Sequence, residues 1–243
     1  DNHVGYTLLF QEITEEVQRK ERLSVLNRVL RHNLRNELTI VQGHLGIAED
    51  RVADEQGEQS LTIATDAVDN LLSTSETART VERTLDSPET DRQIVELSTV
   101  FETVEEIRAD HPAAAVSVEA PAVVLRTNPH ILRSVLRQLV ENAIEHAESE
   151  PTVRVTASRT DTAFEIAVAD DGPGIPDHEL EVIQQGEETA LEHGSGLGLW
   201  LVKWGAARLG GSVSFETDTD GSTITLVFPL SMIVETETGE EAE

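Results

Sequence analysis

Cysteine is absent from the 243-residue chain, and lysine is nearly so, with Lys20 and Lys203 as its two occurrences. Without cysteine there is no disulfide framework and no thiolate metal site, which favours a cytoplasmic protein. No apolar run approaches the roughly 20 residues needed to span a bilayer, and no signal peptide is visible. We therefore expect no transmembrane segment in this chain, and because it begins at Asp1 we expect a piece of a longer protein, which could itself be membrane-attached.

Positive charge is scarce: 18 basic residues face 46 acidic ones, giving a formal net charge of −28. This balance argues against a nucleic-acid partner, because nucleic acid is bound through a broad basic surface. An acid-rich, lysine-poor surface stays hydrated and soluble where salt screens its self-repulsion. The composition therefore predicts a halophilic protein, from a haloarchaeon.

The first third of the chain has the pattern of two long helices. Residues 14–50 contain no proline, and their apolar positions step by three and four along one stripe, from Leu23 to Ala48. A second stripe runs from Leu61 to Leu85 and ends before Pro88, which cannot continue a helix. The polar residues 52–60 between them are predicted to form the turn. Such a hairpin leaves a wide apolar face, so we expect a homodimer with a four-helix bundle.

From Ile94 onward, short strands and helices are mixed. Ser98 and Asn128 are predicted as helix N-caps, and period-two alternation predicts antiparallel hairpins within residues 152–170 and 211–230. The pattern predicts an α+β sandwich with one sheet covered on one face by helices. Residues 236–243 are predicted to be a solvated acidic tail.

Two glycine clusters and one asparagine in this second part have the chemistry of a nucleotide site. In "VADDGPGIP" (168–176), Asp170 at a strand end can accept a hydrogen bond from an exocyclic amine, although this is equally an ordinary turn composition. In "GSGLGL" (194–199), glycines at a helix N-terminus favour phosphate, or form a flexible capped loop. Asn142 lies beside the apolar stripe of its helix and is either a packing residue or an oxygen ligand for Mg²⁺.

In the chain the order is the helix with Asn142, the strand end with Asp170 and its glycines, and the glycine-rich helix start. Together and in this order, these elements resemble the ATP-binding domain of sensor histidine kinases of two-component systems, which has the Bergerat fold. Asn142 matches the N box, Asp170, Gly172 and Gly174 match the G1 box, and Gly194, Gly196 and Gly198 match the G2 box. The resemblance implies that Asp170 binds the adenine amine and that Asn142 holds Mg²⁺ against the triphosphate. It implies nucleotide contacts for the residues named next: His146, Gly194, Ser195, Gly196, Leu197, Gly198 and Ser222. Residues 177–193 would form a short acidic lid.

The stretch "RVLRHNLRNELTIV" (28–41) resembles the family's H box. An isolated histidine on a helix is more often an exposed polar residue, but here the resemblance implies that His32 is the phosphoacceptor, since a neutral imidazole is a nucleophile. Asn33 stands where the family usually has a carboxylate that acts as general base, and an amide cannot take a proton. Asn36 stands where the family often has a residue that positions water for dephosphorylating the partner.

The first residues, "GYTLLFQEIT" (5–14), resemble the end of a PAS sensor domain. The resemblance thus implies four parts: a truncated PAS-like end (1–14), a dimerisation and phosphotransfer hairpin (15–90), an ATP-binding domain (91–235) and the acidic tail (236–243). It implies autophosphorylation of His32 with ATP and Mg²⁺, then phosphoryl transfer to an aspartate in a response-regulator receiver domain. Two alternatives remain: a protein that is mainly a phosphatase of the regulator, and a non-catalytic ATP-sensing dimeric scaffold.

Overall fold

A computed structural model describes residues 37–48, 55–86, 91–147, 150–185, 196–218 and 221–234. The helices are α1 (residues 37–48), α2 (Glu55–Asp86), α3 (Leu97–Asp110), α4 (Pro129–Glu145), α5 (Asp177–Gln185) and α6 (Gly196–Arg208). The strands are β1 (Gln93–Glu96), β2 (Ala115–Glu119), β3 (Val124–Thr127), β4 (Thr152–Arg159), β5 (Ala163–Asp170), β6 (Ser212–Asp218), β7 (Gly221–Pro229) and β8 (Ile233–Val234). A 3₁₀ turn, Leu230–Met232, precedes β8.

The described residues belong to two compact units. The first holds α1, α2 as far as Arg79, and the first two residues of α6. The second runs from Thr80 to Gln185 and from Gly198 onward, and it contains every strand found among the described residues. No helix in the described part of the chain is both long and apolar enough to cross a membrane.

The helical unit is built on small residues inside and larger apolar ones outside. Ala64 and Ala67 are buried on α2, whereas Leu72 is 59% exposed and Leu38 of α1 is 50% exposed. The predicted turn over residues 52–60 was wrong in extent, because α2 already begins at Glu55. The glutamates and glutamines of this stretch are good helix formers, and one interior glycine, Gly57, costs a helix only about 1 kcal/mol.

The second unit contains a five-stranded sheet in the order β2-β4-β5-β7-β6. The two predicted hairpins are confirmed, since β4 pairs antiparallel with β5 and β6 with β7. Strand β2 lies parallel to β4, which makes the sheet mixed. Every second residue along parts of β5 and β7 is fully buried, namely Phe164, Ile166, Leu226 and Phe228. This alternation is expected for a sheet with one face against a core.

The expectation of a single sheet was wrong. Strands β1, β3 and β8 form a separate antiparallel sheet of three strands. Two physical features hide it from a sequence pattern. Strand β8 has two residues, Ile233 and Val234, and the apolar Ile94 of β1 is 63% exposed instead of marking a buried face.

One predicted helix cap is confirmed and the other was wrong. The side chain of Asn128 accepts hydrogen bonds from the backbone of His130 and Ile131, at 3.1 and 3.2 Å, and caps α4. Ser98 lies inside α3, which begins one residue earlier at Leu97. The backbone N–H of Leu97 donates to Val123 O at 3.0 Å, so a neighbouring loop carbonyl satisfies the first donor of the helix and no serine cap is needed.

Candidate functional site

Asp170 is the last residue of β5, and its register partner on β7 is Ser222. One carboxylate oxygen, Oδ1, accepts a hydrogen bond from the backbone N–H of Gly172 at 2.9 Å. Gly221 precedes Ser222 with φ of +142°, and a Cβ there would lie 2.0 Å from the carbonyl oxygen of Asp170. The β5 end, the following loop and the β7 start are therefore packed against each other with backbone close to backbone.

Burial raises the pKa of the Asp170 carboxyl above its usual value. The backbone N–H groups of Gly172 and Ser222 oppose this effect, and the nearby His146 imidazole also lowers the pKa of Asp170, while the neighbouring Asp171 raises it. A partly desolvated carboxylate is a strong acceptor for a neutral donor, because it has exchanged part of its water for fixed contacts. Asp171 is bonded elsewhere: its Oδ1 accepts a hydrogen bond from the backbone N–H of Thr152 at 2.9 Å.

Thr217 fixes the loop that follows Asp170. Its hydroxyl accepts a hydrogen bond from the backbone N–H of Ile175 at 2.8 Å and lies 3.1 Å from the hydroxyl of Ser222. Gly174, one residue before Ile175, has φ of +81°, and a Cβ there would lie 2.4 Å from the carbonyl oxygen of Asp218. The loop needs glycine at 174 both for its left-handed backbone and for its approach to β6.

Helix α4 and its C-cap residue present three polar residues at steps of four along one face, Gln138 and Asn142 within the helix and His146 directly after it. The side-chain amide of Gln138 donates to Asn142 Oδ1 at 2.7 Å. At the end of the helix, the backbone N–H of His146 donates to Asn142 O at 3.1 Å, and a Cβ at Gly172 would lie 3.9 Å from the carbonyl oxygen of His146. This face thus reaches the loop after β5.

In the middle of α4, Gln138 of the same face lies against Gly198 of α6. A Cβ at Gly198 would lie 2.7 Å from Gln138 Nε2. The predicted residues Gly196 and Leu197 are the first two residues of α6, and Leu197 is buried. Further along α6, a Cβ at Gly205 would lie 2.4 Å from Cγ2 of Val135. Glycine therefore lets α6 approach α4 closely at two positions seven residues apart.

Helices α5 and α6 are joined by Lys203, one of the two lysines in the chain. Its ammonium donates to the backbone carbonyl of Ile183 near the end of α5 and lies 5.4 Å from the ring centre of Trp200. Burial lowers the pKa of Lys203. Of the residues expected in the lid, 177–193, the first nine form α5.

The structure brings five predicted residues together where β5 ends and β7 begins: Asp170, Gly172, Gly174, Ser222 and His146. Asn142 lies one helical turn before His146. The other predicted residues, His32, Asn33, Asn36, Gly194 and Ser195, lie outside the described residues.

Sequence reasoning did not identify Gln138 and Thr217. Gln138 had a usable signal, because a glutamine four residues before an asparagine on a helix is placed to bond with it. The sequence signal for Thr217 was weaker, because only the exact register of the β6–β7 hairpin places Thr217 opposite Ser222.

Comparison with known proteins gives a consistent result. Residues 127–232 match the family described as histidine kinase-, DNA gyrase B-, and HSP90-like ATPase. The chain is 34% identical over 116 residues to the sensor histidine kinase component HK1 of Mycobacterium tuberculosis, covering 45% of this chain and 68% of HK1. It is 31% identical over 198 residues to the sensor-type histidine kinase PrrB of Mycobacterium leprae, covering 78% of this chain and 44% of PrrB. The chain thus spans less than half the length of PrrB.

Among solved structures, the histidine kinase AdeS of Acinetobacter baumannii aligns with a TM-score of 0.60 at 21% identity, over 82% of this chain and 97% of the AdeS chain. At that identity the likeness shows the fold. The predicted fold class is confirmed: an α+β chain in which a helical hairpin region precedes an α/β sandwich of the ATP-binding type.

Proposed function

The chain belongs to the sensor histidine kinase family, and we propose that it phosphorylates its own His32 with ATP and then passes the phosphoryl group to an aspartate of a response-regulator receiver domain. One observation supports this most strongly. Polar groups meet where β5 ends and β7 begins in an ATPase-type sheet: the half-buried Asp170 carboxylate, the hydroxyls of Thr217 and Ser222, and the polar face of α4.

In this proposal the adenine lies at Asp170, whose carboxylate accepts a hydrogen bond from the exocyclic amine. Guanine carries an oxygen at that position, and two acceptors facing each other repel, so Asp170 makes the site select adenine. Ser222, with Thr217 behind it, provides a hydroxyl to the same base. His146 lies beside Asp170 and contacts the nucleotide, and residues 194–198, as the family resemblance implies, meet the phosphates.

The residues also fit Mg²⁺ as the ion that accompanies ATP. Asn142 offers an amide oxygen, the hard type of donor that Mg²⁺ accepts, and this ion keeps several waters and takes phosphate oxygens for its remaining positions. Among the described residues there is no cluster of three or more histidines, cysteines or acids suited to hold a metal. When bound, Mg²⁺ would neutralise phosphate charge.

His32 performs the chemistry in two balanced steps. The ring nitrogen that carries no proton attacks the γ-phosphorus as the bond to the β–γ bridging oxygen breaks, giving phosphohistidine and ADP, and the proton on the other ring nitrogen passes to solvent water, from which the ring regains it in the second step. The regulator's carboxylate then attacks that phosphorus, the P–N bond breaks and an acyl phosphate forms. Attack needs alignment and charge neutralisation more than covalent help from the protein. Arg28, Arg31 and Arg35 flank His32 in sequence and would supply positive charge.

We extend the proposal to the organisation of the chain. Residues 15–90 form the dimerisation and phosphotransfer part, because exposed apolar residues on both helices, such as Leu38 and Leu72, need a second copy to cover them. Residues 91–235 bind ATP, residues 1–14 end a PAS-like domain, and the acidic surface suits molar salt.

The test is labelling with [γ-³²P]ATP in high salt, with and without Mg²⁺. We expect Mg²⁺-dependent labelling of the parent chain, none in His32→Gln, and normal labelling in His44→Gln, a matched control further along the sequence on α1. Equal labelling of His32→Gln and the parent would overturn the proposal. An unlabelled parent that still binds ATP would favour the scaffold alternative, and regulator dephosphorylation that dominates in the presence of ADP would favour the phosphatase.

A further inference from the structure

We propose that Gln138 is the positioning residue that fixes the side-chain amide of Asn142 for the metal–nucleotide complex, and that Gly198 holds Gln138 in place. This inference rests on the ATP and Mg²⁺ site proposed above. It assigns a second residue of α4, one that provides no ligand itself, to the control of metal affinity.

The contact between the two amides has a defined direction. Gln138 Nε2 donates to Asn142 Oδ1 at 2.7 Å, and both side chains are partly buried. The two ends of an asparagine amide have nearly the same shape, and a half-turn about the last side-chain bond exchanges oxygen and nitrogen. In the structure Gln138 presents its NH₂ group and Asn142 presents its oxygen; the reverse pairing would require both amides to turn over together.

An amide oxygen has two lone pairs, so this hydrogen bond leaves one for a metal ion. The arrangement is that of an outer-shell partner, which orients a ligand without touching the ion. If Asn142 turned over, it would present an NH₂ group, which repels a cation. With Gln138 in the orientation found, its bond therefore holds Asn142 in the orientation that can bind Mg²⁺.

Gln138 itself packs against Gly198 of α6. A Cβ on Gly198 would lie 2.7 Å from Nε2, 2.9 Å from Cδ and 3.3 Å from Cγ of Gln138. The backbone of Gly198 is not left-handed, so other residues could adopt its conformation. Glycine is needed there because Gln138 occupies the space that a side chain would fill. An added methyl would displace the Gln138 amide from Asn142.

The experiment measures ADP binding by calorimetry, once with Mg²⁺ and once with EDTA, and compares the two dissociation constants. Their ratio is the metal enhancement, and ADP avoids turnover. We expect Gln138→Met, which keeps the length of the side chain but cannot donate, to reduce this enhancement about tenfold or more, as loss of an outer-shell partner does. Binding in EDTA and the unfolding midpoint should stay close to the parent values. Gln93→Met, at an exposed position of β1, is the control and should change neither.

Two further variants sharpen the test. Gln138→Glu places an acceptor beside Asn142, which would then turn its NH₂ toward it, so the enhancement should fall although negative charge has been added. Gly198→Ala lies at a proposed phosphate contact and can change both dissociation constants, so only their ratio is compared: the enhancement should fall in the parent background and should fall no further in Gln138→Ala, where the space is open.

An unchanged enhancement in Gln138→Met, or a larger one in Gln138→Glu, would overturn the inference while leaving the proposed ATP site intact. A parent chain that binds no ADP in either condition would overturn the proposed function, and this inference with it.

Discussion

The hydroxyl oxygens of Thr217 and Ser222 lie 3.1 Å apart across the β6–β7 pair. Thr217 also accepts from the backbone N–H of Ile175 at 2.8 Å and lies 3.4 Å from the carbonyl oxygen of Gly221. One side chain thus connects the loop after β5 to both strands of the last hairpin. The shape of the proposed adenine pocket depends on this threonine.

Replacing Thr217 by valine keeps the shape of the side chain and removes its hydroxyl. The partly buried N–H of Ile175 then loses its acceptor, which costs about 1–3 kcal/mol. We expect Thr217→Val to lower the free energy of unfolding by that amount in urea denaturation and to weaken ATP binding. Thr217→Ser keeps the hydroxyl and should retain both properties. Equal behaviour of the valine and serine variants would show that the hydroxyl has no such role.

Asp170→Asn should separate binding from stability. The amide oxygen is uncharged and accepts a hydrogen bond from the adenine amine more weakly than a carboxylate does. Because a hydrogen bond to a charged group contributes about 1.5–3 kcal/mol, ATP affinity should fall about 10- to 100-fold. Stability should not fall, because burial raises the pKa of Asp170 and the ionised form is the one that folding disfavours. Calorimetry and urea denaturation on the same preparations check both. A loss of stability without a loss of affinity would contradict the assignment.

The same pKa predicts how ATP binding depends on pH. The pKa of Asp170 is raised in the folded chain, so as pH falls the carboxyl takes up its proton earlier than an ordinary aspartate. Between the raised pKa and the ordinary one, the folded state holds more protons than the unfolded state. In that window the contribution of Asp170 to stability therefore decreases as pH rises, while ATP affinity increases. Affinity in Asp170→Asn should lack this step.

Helices α4 and α6 approach each other through Gly205. A methyl group there would lie 2.4 Å from Cγ2 of the fully buried Val135. Alanine is about 1 kcal/mol better than glycine inside a helix, yet we expect Gly205→Ala to destabilise the protein by about 1–3 kcal/mol through overpacking. Val135→Ala opens the space, so the double variant should be less destabilised than the sum of the two single variants, measured by urea denaturation. Additive effects would mean that the two side chains do not compete for space.

How far the sequence predicts the fold depends on whether a residue's partner is near in sequence. The cap of α4 by Asn128 uses the next three residues, and the β4–β5 hairpin uses adjacent strands, so both were predicted. The start of α3 depends on Val123, and β8 on β3, over long sequence separations. Local patterns carry no information about such pairs.

The same limit applies to the site. Asp170 and the glycines after it follow a strand in sequence and were recognised as a group. Thr217 acts through its contact with Ile175, 42 residues away in the chain, a pairing that the sequence pattern of one element does not determine. Gln138 bonds to Asn142 four residues on, which the spacing could have shown, but its packing against Gly198, 60 residues away, could not be predicted locally.

The proposed phosphoacceptor, His32, has no carboxylate directly after it in the sequence. Asn33 follows His32 directly and cannot accept the proton that the ring must lose when phosphohistidine forms. A general base contributes about 10²–10⁴-fold to a rate, so Asn33→Glu should raise the initial rate of [γ-³²P]ATP labelling by about tenfold or more, allowing for imperfect placement. A neighbouring carboxylate also raises the pKa of the imidazole, so the labelling rate of the variant should decline at a higher pH than that of the parent as the solution is acidified. Asn33→Gln keeps an amide and should label at the parent rate. A rate in Asn33→Glu no higher than in Asn33→Gln would mean that proton removal from His32 does not limit the reaction.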